Sequence, residues 1–239
     1  MRLINVQTLQ LTEFLDARQR PKYVIASHRW APDESSFKDL RKGRNKHYSG
    51  YKKIDGFAQY IRQSYPAIEW LWIDTCCVNK ESDAELSYAI NSMFDWYRNA
   101  EVCVARLGIL PSNYTPEQLK QDQWFWRGWT LQELLAPRVV VFVDHDWRAI
   151  GHKGIGSQGT GPNIAKAIAS ITGISEAVLG DWGASVNLRL EEKMKWMTNR
   201  DTTREEDMIY ALFGIVGVSM SVIYGEGKDR ASARLVAAI

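Results

Sequence analysis

Tyr23-Val24-Ile25-Ala26-Ser27-His28-Arg29-Trp30 sets a short apolar run against a polar exit. A run this short and this apolar reads as a buried strand whose polar residues leave the sheet at its end. Working outward, Trp70-Leu71-Trp72-Ile73-Asp74 is a second such strand, Val102-Cys103-Val104-Ala105 a third, and Val139-Val140-Val141-Phe142-Val143 a fourth. Helical spacing lies between them. Ile54 to Tyr65 puts Ile54, Phe57, Ala58 and Ile61 on one face, and Leu86, Ala89, Ile90, Met93, Phe94 and Tyr97 form another stripe. Ser82-Asp83-Ala84-Glu85 opens that second helix as a capping box, with the serine on the Glu85 amide and the glutamate reaching back. Strands apolar along their whole length, alternating with helices, are the pattern of a parallel sheet covered on both faces. The expected fold is therefore a doubly wound α/β sheet over residues 20–147, with right-handed crossovers placing helices on both sides.

Beyond residue 150 the pattern changes. Residues 154–162 are a glycine-rich loop, and Ile164–Ile171, Ser175–Leu179, Leu190–Met197 and Glu205–Gly214 have helical character. Thr203-Arg204-Glu205-Glu206 reads as a cap for the last of these. The expected division is a core over 1–150 and a loop with a helical C-terminal extension, packed on that core, over 151–239. The chain runs out inside a further helix after Tyr224-Gly225-Glu226-Gly227, as an N-terminal module of a longer protein would.

Composition narrows the function. The net charge of +2 offers no broad electrostatic surface for nucleic acid, and 45% hydrophobic residues can build a substantial core. The basic run Arg41-Lys42-Gly43-Arg44-Asn45-Lys46, with Tyr48 and Tyr51 nearby, reads as a solvated loop within residues 32–50. Cys76, Cys77 and Cys103 form no CxxC pair, and four scattered histidines have no metal-ligand spacing. Adjacent cysteines on a strand point to opposite faces, so Cys76 and Cys77 read as buried thiols in a reduced, cytoplasmic setting. No run reaches membrane-spanning length, and the N-terminus lacks the apolar core of a signal peptide. Ten tryptophans serve either as core or as rings lining a pocket.

In an open parallel sheet, ligands bind outside the carboxyl ends of the strands. Ser27, His28, Arg29 and Trp30 leave the first strand there, Asp74 the second, and the helix after the third strand brings Arg127, Trp129 and Glu133 to the same edge. Two readings of Glu133 stand side by side. Thr130-Leu131-Gln132-Glu133 fits a capping box, which accounts for the glutamate as helix structure. Alternatively Trp129 and Glu133, at i and i+4, set a ring beside a carboxylate, which suits a flat cationic ligand. His28 is a candidate general base or a satisfied histidine at a strand end. Arg29 and Arg127 could hold phosphates or be surface pairs. Asp74 could bind a ribose hydroxyl or cap a turn. Gly154-Ile155-Gly156-Ser157-Gln158-Gly159 matches GxGxxG but follows the fourth strand by about ten residues rather than opening the first βα unit, so it reads as a loop.

The segments 23–30, Trp72-Ile73-Asp74-Thr75-Cys76-Cys77-Val78-Asn79-Lys80, Glu85-Leu86-Ser87 to Met93-Phe94-Asp95-Trp96-Tyr97, and Arg127-Gly128-Trp129-Thr130-Leu131-Gln132-Glu133-Leu134 together resemble the heterokaryon-incompatibility (HET) domain of filamentous fungi. Residues 202–208 and Tyr224-Gly225-Glu226-Gly227 resemble the segment that follows it. The resemblance implies a role in non-self recognition and regulated cell death, and a place at the N-terminus of a receptor with nucleotide-binding and repeat domains. It also implies distant kinship to TIR domains, hence a TIR-like, flavodoxin-like sheet and a homo-oligomeric active state. Enzymatic TIR domains cleave NAD at the nicotinamide–ribose bond with a glutamate on the helix after the third strand, a role that maps to Glu133. NAD is then substrate, with no cofactor and no metal, and Ser27, His28, Arg29, Trp30, Asp74, Arg127 and Trp129 are the substrate-binding candidates. The loop from Thr75 to Ala84 differs in sequence from the TIR assembly loop, and the helical C-terminal part has no TIR counterpart. The alternative is a non-catalytic, self-associating signalling module.

Overall fold

The structure is a computed structural model and describes residues 1–108, 115–155 and 160–239. Its strands are β1 (Arg2–Asn5), β2 (Leu11–Glu13), β3 (Val24–His28), β4 (Trp70–Trp72), β5 (Val102–Arg106), β6 (Val140–Val143) and β7 (Ala149–Lys153). Its helices are α1 (Phe37–Lys42), α2 (Ser49–Ser64), α3 (Asp74–Cys77), α4 (Asp83–Arg98), α5 (Pro116–Gln121), α6 (Thr130–Leu135), α7 (Ala165–Thr172), α8 (Glu176–Gly180), α9 (Leu190–Lys195), α10 (Asp207–Tyr210), α11 (Phe213–Val216) and α12 (Lys228–Ala238), with 3-10 turns at Ala17–Gln19, Gln123–Trp126 and Trp182–Ser185.

The strands form one sheet in the order β2-β1-β4-β3-β5-β6-β7. The four strands legible in the sequence are its centre, and every pairing among them is parallel. Both margins are antiparallel: β1 pairs with β2 and β4, and β7 with β6. The sheet is thus wider than expected and mixed. The marginal strands are short or interrupted, so they lack the apolar run that marks a central strand. In β7, Gly151 is needed because a Cβ there would stand 2.7 Å from the Pro162 carbonyl oxygen and from Ile164. The division expected at 150/151 falls inside β7.

Alternation along β3 sorts the helices between the two faces. Ser27 faces α4 and α6: Tyr97 of α4 bonds the Ala26 carbonyl (2.9 Å) and Glu133 of α6 meets Ser27. His28 faces the other way, onto Phe57 of α2 at 6.0 Å between ring centroids. The chain steps from β3 outward to β4, then returns across β3 to β5, so the order reverses between β3 and β5. In open α/β sheets, ligands bind outside the carboxyl ends of the strands at such a reversal.

Several local expectations are corrected. The loop over 32–50 contains α1, started by a Ser36–Asp39 capping box and ended by Gly43 in the left-handed region (φ 61°). Asp74, Cys76 and Cys77 lie on α3 rather than on a strand, and all three cysteines are buried and free. Ser82 accepts from the Glu85 amide (3.4 Å), but the Glu85 carboxylate takes the Asn79 amide (2.7 Å) and Arg2 instead of closing the box. The helix expected over 205–214 is two short ones, α10 and α11, with no side-chain cap on α10. There the Glu206 carboxylate accepts from the Gly225 and Gly227 amides (2.7 and 3.2 Å), and Thr203 receives Arg127. Gly156 to Gly159 of the GxGxxG match lie outside the described residues.

The apolar core runs without a break from the sheet into the C-terminal helices. Gln132 of α6 donates to the Ala211 carbonyl (2.8 Å), and Asn91 of α4 receives the Met220 amide (2.9 Å). No helix among the described residues is long and apolar enough to cross a membrane.

Candidate functional site at the carboxyl edge

The segment 122–133 delivers the central side chains. Asp122 accepts from the Trp124 amide (2.9 Å) and the Gly108 amide (2.7 Å), which ties the tip of β5 to the turn over Gln123–Trp126. The Trp124 ring is driven edge-on against Phe142 of β6, 5.5 Å between centroids. Gly128 follows because the C-terminal chain passes against it: its amide donates to the Asp201 carbonyl (2.9 Å), and a Cβ would stand 2.4 Å from Thr202. The backbone of Trp129 is already helical, and α6 begins at Thr130.

The capping reading of Glu133 fails here. Thr130 is the first helical residue rather than a cap, and its hydroxyl lies 2.6 Å from the Trp124 carbonyl oxygen and 2.7 Å from that of Arg127. The Glu133 carboxylate accepts from the Ser27 hydroxyl, 106 residues away in sequence. Trp124 Nε1 donates to the same hydroxyl oxygen (2.7 Å), which completes a buried chain of indole, hydroxyl and carboxyl. Tyr97 lies against the carboxyl, and Arg200 supplies a nearby positive charge. Arg200 is itself fixed by bonds to the Arg127 carbonyl (2.8 Å), Thr130 Oγ1 (2.9 Å) and the Trp196 carbonyl (3.1 Å).

Glu133 is 8% exposed. Burial pushes its carboxyl up to about 8; the Ser27 hydroxyl pulls it down, Asp74 pushes it up, and Tyr97 and Arg200 pull it down. The Glu133 carboxyl thus favours its protonated form at neutral pH.

At the rim, Trp30 is exposed and its Nε1 donates to Asp74 Oδ2 (2.9 Å). The Lys80 ammonium sits 3.4 Å from the centroid of that ring and 3.7 Å from the same carboxylate oxygen. Other sequence candidates stand apart. His28, on the opposite face from Ser27, is buried with Nε2 3.7 Å from Glu34, and neither ring nitrogen has a hydrogen-bond partner among the described residues. Burial lowers its pKa. Arg29 is exposed, and its carbonyl accepts from Lys53 (3.0 Å). Arg127 reaches Thr203 (3.1 Å) and Asp201 (3.7 Å). Trp129 is half-buried with its indole engaged by Asp207, so ring and carboxylate of the i, i+4 pair serve different partners. Trp124, Tyr97, Lys80 and Arg200 escaped the sequence reading as site residues. Two surface hollows, of about 400 and 590 Å³, lie elsewhere, one beside α7 and α8 and one between α4, α9 and α11. Among the described residues no His, Cys, Asp and Glu cluster could hold a metal ion.

Residues 23–115 match the family model described as heterokaryon incompatibility protein (HET). The chain carries a HET domain. It is also 39% identical over 235 residues to the vegetative incompatibility protein HET-E-1 of Podospora anserina, an alignment that takes in 94% of this chain. The chain spans 16% of that relative's length. No solved structure matches it. The matched HET segment supplies Ser27, Trp30, Asp74, Lys80 and Tyr97, while Trp124, Glu133 and Arg200 come from beyond it.

Proposed function

We propose that this HET domain is an NAD glycohydrolase, the cell-death effector of heterokaryon incompatibility in a longer, multidomain receptor. One observation carries the proposal. Glu133 turns away from its own helix to join a buried network with Ser27 and Trp124 at the carboxyl edge, where the strand order reverses. The parallel strand order β4-β3-β5-β6 is that of flavodoxin-like sheets and suits the TIR kinship. The longer relative suits a receptor with further domains, and its name gives the incompatibility role.

In the proposed reaction the bond from ribose C1 to the nicotinamide nitrogen breaks, and its electron pair leaves with the ring. Nicotinamide departs neutral, so no acid is needed to protonate it, unlike ordinary glycoside hydrolysis. The barrier is the positive charge developing on the ribose. An ionised Glu133 beneath that ribose stabilises the oxocarbenium electrostatically. Water then adds to C1 and loses a proton, giving ADP-ribose. Ser27 and Trp124 hold the carboxyl in one orientation, and Arg200 favours its ionised form.

A second reading has its own observation. Glu133 is 8% exposed, bonded within the protein, and outside both surface hollows, which suits a structural carboxyl in a self-associating signalling module. The deciding experiment is incubation of the purified protein with NAD, alone and artificially clustered, with free nicotinamide quantified. The glycohydrolase reading expects release that Glu133→Gln abolishes while the melting temperature stays within a few degrees. Absence of release from the folded wild type in both states supports the module instead.

A further inference from the structure

The carboxyl edge of the sheet holds a cation that the protein supplies to itself. Trp30 is 52% exposed, yet its ring is fixed in orientation by its bond to Asp74 Oδ2 (2.9 Å). An indole face with a carboxylate at its edge is a receptor for positive charge, because the ring quadrupole and the anion attract the same ligand. Lys80 occupies that position, 3.4 Å from the ring centroid and 3.7 Å from Asp74. Its ammonium is a compact, strongly hydrated charge on a flexible stem, and Trp30 remains exposed beside it. A planar, delocalised cation would cover more of the indole and keep the same carboxylate. Trp30 stands three residues beyond Ser27, the hydroxyl that bonds Glu133, and Asp74 lies near enough to Glu133 to interact with it electrostatically.

We infer that Trp30 and Asp74 form the seat for the planar cationic ring of the ligand, and that Lys80 is an internal competitor holding the seat until the ligand arrives. The inference rests on the glycohydrolase reading for the ligand's identity and deepens it. The seat favours the oxidised pyridinium over the neutral dihydropyridine, which lacks the charge that Trp30 and Asp74 both attract. Removing the competitor strengthens ligand binding, because the apparent affinity no longer carries the cost of displacing it.

The test uses 1-methylnicotinamide, a pyridinium cation without phosphates, and neutral nicotinamide as its control. Dissociation constants are measured by calorimetry or ligand-observed NMR for the wild type, Lys80→Met, Trp30→Ala and Asp74→Asn, with nicotinamide release from NAD assayed alongside. Lys80→Met should bind the cation about fivefold more tightly than the wild type does, and both proteins should prefer the cation to neutral nicotinamide. Trp30→Ala and Asp74→Asn should each weaken the cation by a similar factor or more. A Lys80→Met that leaves the cation's affinity unchanged, or a cation that binds none of the four proteins, overturns the inference. Release of nicotinamide by a wild type whose Lys80→Met binds the cation no better removes the seat and keeps the glycohydrolase. Tighter cation binding with no release in any state keeps the seat and removes the glycohydrolase.

Discussion

The Glu133 carboxyl bonds to Ser27 rather than to its own helix, and that choice has measurable consequences. With its folded pKa raised from 4.5 to about 8, Glu133 favours the folded state fully below about 4.5, where both states carry the proton. That contribution is lost as pH rises toward about 8, at up to about 1.4 kcal/mol per pH unit. Glu133→Gln removes the dependence, so the variant should gain on the wild type as pH rises from 5 to 8 in denaturant titrations. Equal pH slopes for the two proteins would contradict the burial argument. Ser27→Ala leaves both the carboxyl and Trp124 Nε1 without their shared partner, and should cost about 1–3 kcal/mol of unfolding free energy. The sequence placed Ser27 and Glu133 at one edge from strand topology. It could not show that they bond, because the Thr130–Glu133 spacing satisfies a capping box equally well. The start of α6 at Thr130 and the bond from Ser27 to Glu133 separate the two readings.

Elements were legible where the pattern was apolar and long. β3 to β6, α2 and α4 follow from their apolar runs and helical spacing. β1, β2 and β7 sit at the margins, where few apolar side chains are needed, and α1 hid inside a charged loop until its Ser36–Asp39 box was seen in place. Trp124 and Arg200 were missed for a related reason: a tryptophan in an aromatic cluster and an arginine in a polar segment carry no periodicity. Gly128 marks where α6 and the C-terminal chain touch. Gly128→Ala drives a methyl into Thr202 and should cost about 1–3 kcal/mol, read as a lower melting temperature, with larger loss of any nicotinamide release because α6 carries Glu133. An unchanged melting temperature would mean that the Asp201–Thr202 strand gives way freely.

Across the molecule, the C-terminal helices complete the sheet rather than follow it. β7 belongs to the sheet, the core is continuous, and Arg200 brings its charge to Glu133 from far along the chain. A chain ending at 153 keeps every strand yet uncovers α6 and strips the partner of Gln132. It should fail to unfold cooperatively, and amide exchange over 130–135 should become fast; a cooperative transition with protected α6 amides would show that the extension is dispensable. Nothing in the sequence signalled that the C-terminal extension supplies part of the electrostatics around Glu133, since that depends on where a single buried arginine lands.

In the proposed reaction Glu133 acts as its anion, although burial favours its protonated form at neutral pH. The most direct measurement is the pH dependence of kcat/KM for nicotinamide release between pH 6 and 9.5, which reports groups of the free enzyme. The account predicts a rise with pH that levels off above an apparent pKa near about 8, and no measurable release by Glu133→Gln at any pH. A profile that is flat or falls across that range, or release by Glu133→Gln at the wild-type rate, would contradict it.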